Sequence, residues 1–176
     1  MKFAAAFIAA VATASSCESD TQLIKEGEGF RSCMYVDTTG NRTVCYGLNL
    51  ETSSAKSEVE SVGGNYNNVY NGTECLSKSQ CSSILNDSIA TARSGEQDIY
   101  GNVSCYCAKE ALVDMTYNLG EAGLAGFYTF NSYIESQQWD KAADDLYTTL
   151  WCSQVGTRCS RDAEQIRQCD NQAFLQ

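Results

Sequence analysis

The sequence predicts an α+β fold, and three observations carry that prediction. Residues 31 to 45 alternate like a strand, turn at Thr38-Thr39-Gly40 and return as a second strand. Apolar residues recur at helical spacing from Ser77 onward. Ser19 with Gln22, and Ser77 with Gln80, have the Ser-x-x-Gln form of a capping box that opens a helix.

The stretch Glu28 to Gly47 organises the rest. Ser19 opens a short helix with Leu23, Ile24 and Gly27 on its apolar face, and Gly29 lies just past its end, so Glu28 falls in the last turn. Counting outward from Thr39 pairs Asp37 with Asn41, Tyr35 with Thr43 and Cys33 with Cys45. Side chains two apart share a strand face, so these six project from one side. A carboxylate on a helix end then faces a second carboxylate and a hydroxyl on a hairpin, the pairing that hydrolysis of a glycosidic bond requires. Because Cys33 and Cys45 fall opposite each other, a disulfide between them is expected.

The chain has 176 residues. Residues 1–14 read as a secretory signal peptide: Lys2, an apolar run from Phe3 to Val11, and Ala12-Thr13-Ala14 as a cleavage site. A lipobox ending at Cys17 fits less well, since Ala14-Ser15-Ser16 lacks a large aliphatic residue. No later segment approaches the roughly 20 apolar residues of a membrane span. Residues 15–176 fit a single domain, with a β part at about 30–75 and a helical part at about 95–170. No internal repeat or low-complexity linker divides it.

All ten cysteines follow the signal segment, which implies up to five disulfides formed in an oxidising compartment. Cys105-Tyr106-Cys107 reads as two structural half-cystines and not a metal or redox site, because the chain contains no His. Sequons at Asn41, Asn71, Asn86 and Asn102 fit a eukaryotic secretory route and a glycoprotein. A glycan on Asn41 would crowd Asp37, so that site is expected to be empty or to point along the rim.

The formal charge is −10, and without Lys2 the balance is 11 basic against 22 acidic residues, or −11. This balance argues against nucleic acid as a partner, since its binding depends on basic residues replacing counterions. An anionic cell wall is an awkward partner as well, unless the protein works at acid pH, and an acid optimum is the expectation.

Further along, Tyr46–Glu51 holds a third short strand and Ser53–Val62 a weakly amphipathic helix, while 63–72 is turn-like. Tyr66 and Tyr70 there are assigned to loop packing over sugar stacking. The helix opened by Ser77 runs to about Arg93 on Cys81, Ile84, Leu85, Ile89 and Ala92, followed by a polar loop over 94–104. Cys107–Leu119 is apolar almost all round, a buried central helix capped by Gly120. Helical units follow at Ala125–Ile134 and from Trp139, with Trp139 and Trp151 in the core. A tail from Asp162, carrying Cys169, closes the chain.

The spaced set Glu28-Gly29-x-Arg31, Tyr35-x-Asp37-Thr38, Gly40, Thr43 and Gly47 resembles the phage-type (T4-like) lysozymes, glycoside hydrolase family 24. The resemblance covers about Asp20 to Arg167, strongest at the hairpin and over Cys107–Arg161. It implies a lysozyme-like fold, a small β-hairpin lobe joined by a long helix to a larger all-helical lobe. It also implies catalytic roles for Glu28, Asp37 and Thr43. Tyr117-Asn118-Leu119-Gly120 matches a run that lines the family's cleft, and the substrate-contact candidates are Tyr117, Asn118, Gly47 and Arg158. Arg158 falls at a basic position of the family, where it either pairs with Glu28 or caps a helix. The family often has His where this chain has Leu48, so a polar support near the acid is absent.

The expected activity is inverting hydrolysis of the β-1,4 bond between N-acetylmuramic acid and N-acetylglucosamine in bacterial peptidoglycan, by a secreted monomer acting outside the cell or in a lytic lumen. No metal or organic cofactor is required, and neither nucleic acid nor membrane is a partner. The rival readings are a chitinase-like hydrolase of N-acetylglucosamine polymers, a catalytically lapsed glycan-binding protein, and a disulfide-stapled structural protein. The last leaves the spacing of Glu28, Asp37 and Thr43 unexplained.

Overall fold

A computed structural model describes residues 17–173, with side chains to residue 170. The expected signal segment lies outside the described residues. The chain forms α1 (Asp20–Glu28), strands β1 (Arg31–Val36), β2 (Arg42–Cys45) and β3 (Leu48–Asn49), then α2 (Ala55–Ser61), α3 (Tyr66–Tyr70) and α4 (Lys78–Tyr100). The remainder is helical: α5 (Tyr106–Leu119), α6 (Glu121–Ala125), α7 (Tyr128–Glu135), α8 (Trp139–Leu146), α9 (Leu150–Val155) and α10 (Thr157–Ala173). The strands form one antiparallel sheet in the order β1-β2-β3.

Two hydrophobic cores share one helix. The smaller gathers Ile24, Val44, Leu50, Val59, Val69 and Leu76 around the N-terminal half of α4. The larger wraps α5 with α7, α8, α9 and α10, burying Leu112, Met115, Phe130, Leu146 and Ile166. Ile84, Leu85 and Ile89 of α4 enter the first core, while its Ile99 and Tyr100 pack against the second. The architecture is thus a small β lobe joined by a long helix to a larger helical lobe. Trp139 and Trp151 are both in the helical core.

The capping serines act as the sequence implies. Ser19 accepts a hydrogen bond from the Gln22 amide, and Ser77 and Gln80 form a reciprocal capping box that starts α4. Helix α4 does not stop at Arg93 but runs seven residues further, to Tyr100, so most of the expected 94–104 loop is helical. Packing overrides the polar composition. Gly95 is buried, and a Cβ there would lie 3.1 Å from Thr116 Cγ2, so a larger residue would push Thr116 aside where α4 packs on α5. The 63–72 turn likewise contains α3, opened by Asn65 accepting from the Asn68 amide and anchored by the buried Val69. The described part of the tail from Asp162 is helical, within α10, and Cys169 ties it to Cys105 by a disulfide.

The expected Cys33–Cys45 disulfide does not form. Cys33 pairs with Cys75 and Cys45 with Cys81. Tyr35 does face Thr43, but Arg31, not Cys33, faces Cys45, because β1 carries a bulge between Arg31 and Tyr35. The bulge turns Cys33 out of register. The Leu76 amide donates to the Ser32 carbonyl at 2.8 Å, which brings Cys75 alongside Cys33. Cys45, buried at the end of β2, meets Cys81 on α4. The other bridges are Cys17–Cys107, Cys105–Cys169 and Cys152–Cys159.

Candidate active site

Helix α1 is fixed at its start so that its last turn can present Glu28. Asp20 is buried and receives a two-nitrogen fork from Arg93 of α4, while its amide donates to Glu110 of α5 at 2.6 Å. Leu23 and Ile24 bury the inner face. Gly29, with φ of +70°, ends the helix in a conformation that side chains rarely adopt.

The Glu28 side chain is 23 % exposed. Its Oε1 accepts from Arg158 Nη1 at 2.7 Å, and its Oε2 lies against Gly47 of the β2–β3 turn. Arg158 is almost wholly buried, and its Nε and Nη2 each donate at 2.8 Å to the two oxygens of Asp114 on α5. Burial opposes the guanidinium charge, but the hydrogen bonds and charges of Asp114 and then Glu28 outweigh it, so Arg158 holds its proton more firmly than usual. Tyr117, in the same cluster, has its hydroxyl pushed up to about 12, by burial first and the charge of Glu28 second.

On the hairpin, Asp37 Oδ1 accepts from the Asn41 amide (2.9 Å), the Thr39 amide (2.9 Å) and the Thr39 hydroxyl (2.8 Å). Oδ2 is left facing the Thr43 hydroxyl at 3.4 Å. The Asn41 amide and the Thr39 hydroxyl hold the Asp37 carboxyl below the usual carboxylate range. Thr43 itself is buried, so its hydroxyl is fixed in place beneath Asp37.

A cleft of about 590 Å³ opens between the lobes, bordered by Glu28, Gly47, Ser88, Tyr117 and Asn118. It therefore brings together four of the residues singled out from the sequence. Trp151 Nε1 donates to Asn118 Oδ1 at 2.7 Å and fixes the amide's orientation. Leu48 lies in an adjoining recess with Asn49 and Ser88. Arg158 approaches Glu28 from a cavity on its other side, which also holds Glu26 and Arg161. Asp37 and Thr43 form a pair of their own at the hairpin and do not border the main cleft. Among the described residues, no group of three or more acidic, Cys or His side chains is placed to hold a metal ion.

Two residues of the cluster have no counterpart in the sequence-based candidates. Asp114 sits in a run that reads apolar almost all round, where a lone carboxylate is itself a signal that a buried cation faces it. Asp162, buried one turn beyond Arg158 on α10, falls where the sequence reads as a tail.

A sheet lobe and a helical lobe flanking a cleft, with a carboxylate on a helix end braced by a buried arginine, make up a lysozyme-like α+β fold. The phage lysozyme family model matches residues 25–164, and the chain belongs to that family. It is also similar to "Probable T4-type lysozyme 2" of Dictyostelium discoideum, at 26 % identity over 150 residues, covering 79 % of this chain and 88 % of that one.

Proposed function

We propose that the protein is a secreted endo-β-1,4-N-acetylmuramidase that cleaves bacterial peptidoglycan with inversion. The observation that carries this reading is the Glu28 carboxyl on the cleft wall, with one oxygen on Arg158 and the other against Gly47. Glu28, as general acid, gives its proton to the glycosidic oxygen as the bond to the anomeric carbon breaks. Water attacks that carbon from the opposite face and passes its proton to Asp37, with Thr43 orienting the water. Solvent then returns a proton to Glu28 and removes one from Asp37.

The lowered Asp37 carboxyl is ionised at working pH and suited to the role of base. Its Oδ1 is committed to three backbone and hydroxyl donors, so Oδ2, beside Thr43, is the oxygen assigned to the water. Inverting enzymes leave room for this water by keeping the two carboxyls roughly 6.5–9.5 Å apart. Tyr117, Asn118 and Gly47 contact the sugar chain. Arg158, with three donors engaged on Glu28 and Asp114, braces the acid and does not reach the substrate.

Five disulfides among the described residues and the apolar N-terminal segment support export through an oxidising compartment. No helix of the described residues is long and apolar enough to cross a membrane. The net negative charge supports work at acid pH, where both wall and enzyme are less charged.

The test is clearing of a bacterial wall suspension between pH 4 and 8 by the wild type and by Glu28→Gln. Clearing by the wild type, with a loss on the order of 10²–10⁴-fold in the variant, supports the reading. A folded, oxidised wild type that clears no wall but cleaves chitin oligomers would replace peptidoglycan as the substrate.

A further inference from the structure

Asp162 lies one helical turn beyond Arg158 on α10 and is wholly buried, with neither carboxylate oxygen meeting a donor among the described residues. What it faces from α5 is Asp114, also wholly buried, whose two oxygens are both engaged by Arg158. From its own helix it is faced by Arg158 and Arg161, and Arg161 commits its two terminal nitrogens to Glu26 and the Leu23 carbonyl. Two carboxyl groups in contact cannot both be ionised in a buried site, because only a proton between them turns repulsion into a hydrogen bond. Asp114 is the one matched by a guanidinium, so the proton belongs on Asp162.

We propose that Asp162 carries a proton that it donates to Asp114, and that this bond sets how Arg158 divides its charge between Asp114 and Glu28. Asp162 is then a positioning residue for the hydrolysis proposed above, and its role in turnover rests on that reading. With Asp162 neutral, one guanidinium faces two carboxyls. The cluster is neutral while Glu28 holds the proton it will donate, and carries a single negative charge once Glu28 has given it up. An ionised Asp162 would add a second negative charge in a site closed to water. Burial first, and the charge of Asp114 second, hold the Asp162 carboxyl well above the usual range.

The experiment compares wild type, Asp162→Asn and Asp162→Ala in two ways: denaturant unfolding at pH 4.5 to 8, and wall clearing over the same range. An asparagine amide is neutral at every pH and still donates to Asp114. The unfolding constant of wild type relative to Asp162→Asn is therefore expected to rise about tenfold per pH unit above the usual aspartate range, until Asp162 itself ionises. A ratio that does not change with pH overturns the proposal. In clearing, Asp162→Ala leaves Asp114 to draw more fully on Arg158, which weakens the hold on ionised Glu28 and moves the alkaline limb to higher pH. Asp162→Asn restores the wild-type limb. Identical limbs in all three proteins, or equal shifts in both variants, overturn the positioning role. If Asp162→Ala does not fold, the unfolding ratio for Asp162→Asn still decides where the proton lies. A wild type with no lytic activity overturns the enzyme reading instead, while the unfolding ratio still tests the shared proton.

Discussion

Gly47 leaves room for the Glu28 carboxylate: a Cβ at residue 47 would stand 3.1 Å from Glu28 Oε2, and the glycine has a φ of +87°. The turn between β2 and β3 therefore forms one wall of the acid's pocket. On the far side, a Cβ at Gly27 would lie 3.1 Å from the Arg158 guanidinium carbon. Two glycines thus bracket the Glu28–Arg158 pair.

Gly47→Ala should consequently harm activity more than stability. Forcing alanine to positive φ costs about 1–2 kcal/mol, whereas displacing Glu28 by a fraction of its contact distance should lower clearing on the order of tenfold to a hundredfold. Thermal unfolding and clearing rates on the same preparation separate the two effects. An alanine variant with wild-type clearing would show that Gly47 does not shape the acid's pocket.

Arg158→Ala leaves Asp114 buried without its cation and should cost about 3–5 kcal/mol of folding stability. Arg158→Lys keeps the charge but cannot span Asp114 and Glu28, because an ammonium is a point donor where the guanidinium is a fork. That variant should fold and clear walls slowly. Circular dichroism melts beside clearing assays check both expectations.

Glu96 predicts how stability follows pH. It is wholly buried on α4 with neither oxygen hydrogen-bonded, and burial, eased slightly by Lys109, raises it from 4.5 to about 6. Below pH 4.5 the folded and unfolded chains both hold this proton, and the pH-dependent penalty of Glu96 vanishes. Between 4.5 and about 6 only the folded chain holds it, so stability falls as pH rises, and the loss levels off above 6 at about 2 kcal/mol. Glu96→Gln should match the wild type at pH 4 and exceed it at pH 7. Urea midpoints at the two pH values measure this, and an equal gain at both would mean that Glu96 does not titrate in the folded protein.

The exposed Cys33–Cys75 bridge closes a loop of 42 residues' separation. Replacing both cysteines by serine should cost roughly 4 kcal/mol on loop-closure grounds. Peptide mapping without reduction should recover residues 33 and 75 in one linked pair, and 45 and 81 in another.

What the sequence made legible was local. Ser19, Ser77 and Gly120 mark helix ends through contacts within one turn, and the alternation around Thr39 locates the hairpin and the Tyr35–Thr43 pair. Glu28, Tyr117, Asn118 and Gly47 could be assembled because their motif spacing resembles a known family's. What escaped depends on partners far along the chain. The β1 bulge moves Cys33 away from Cys45, and nothing in the alternation announces it. Helix α4 outlasts its apolar pattern because Gly95 fits against Thr116. Asp114 sits unmarked in a run that reads apolar and Asp162 in a stretch that reads as a tail, since only the packing of α5 against α10 brings Asp114 to Arg158 and Asp162.

The disulfides also partition. Cys45–Cys81 lies within the smaller core and Cys33–Cys75 is confined to the sheet lobe, while Cys17–Cys107, Cys105–Cys169 and Cys152–Cys159 all pack in or against the larger core. No covalent strap crosses the cleft. Each half is cross-linked within itself, and the two sides of the cleft can part without any bridge having to open. Oxidation hardens the jaws and leaves the bite to the weaker forces between them.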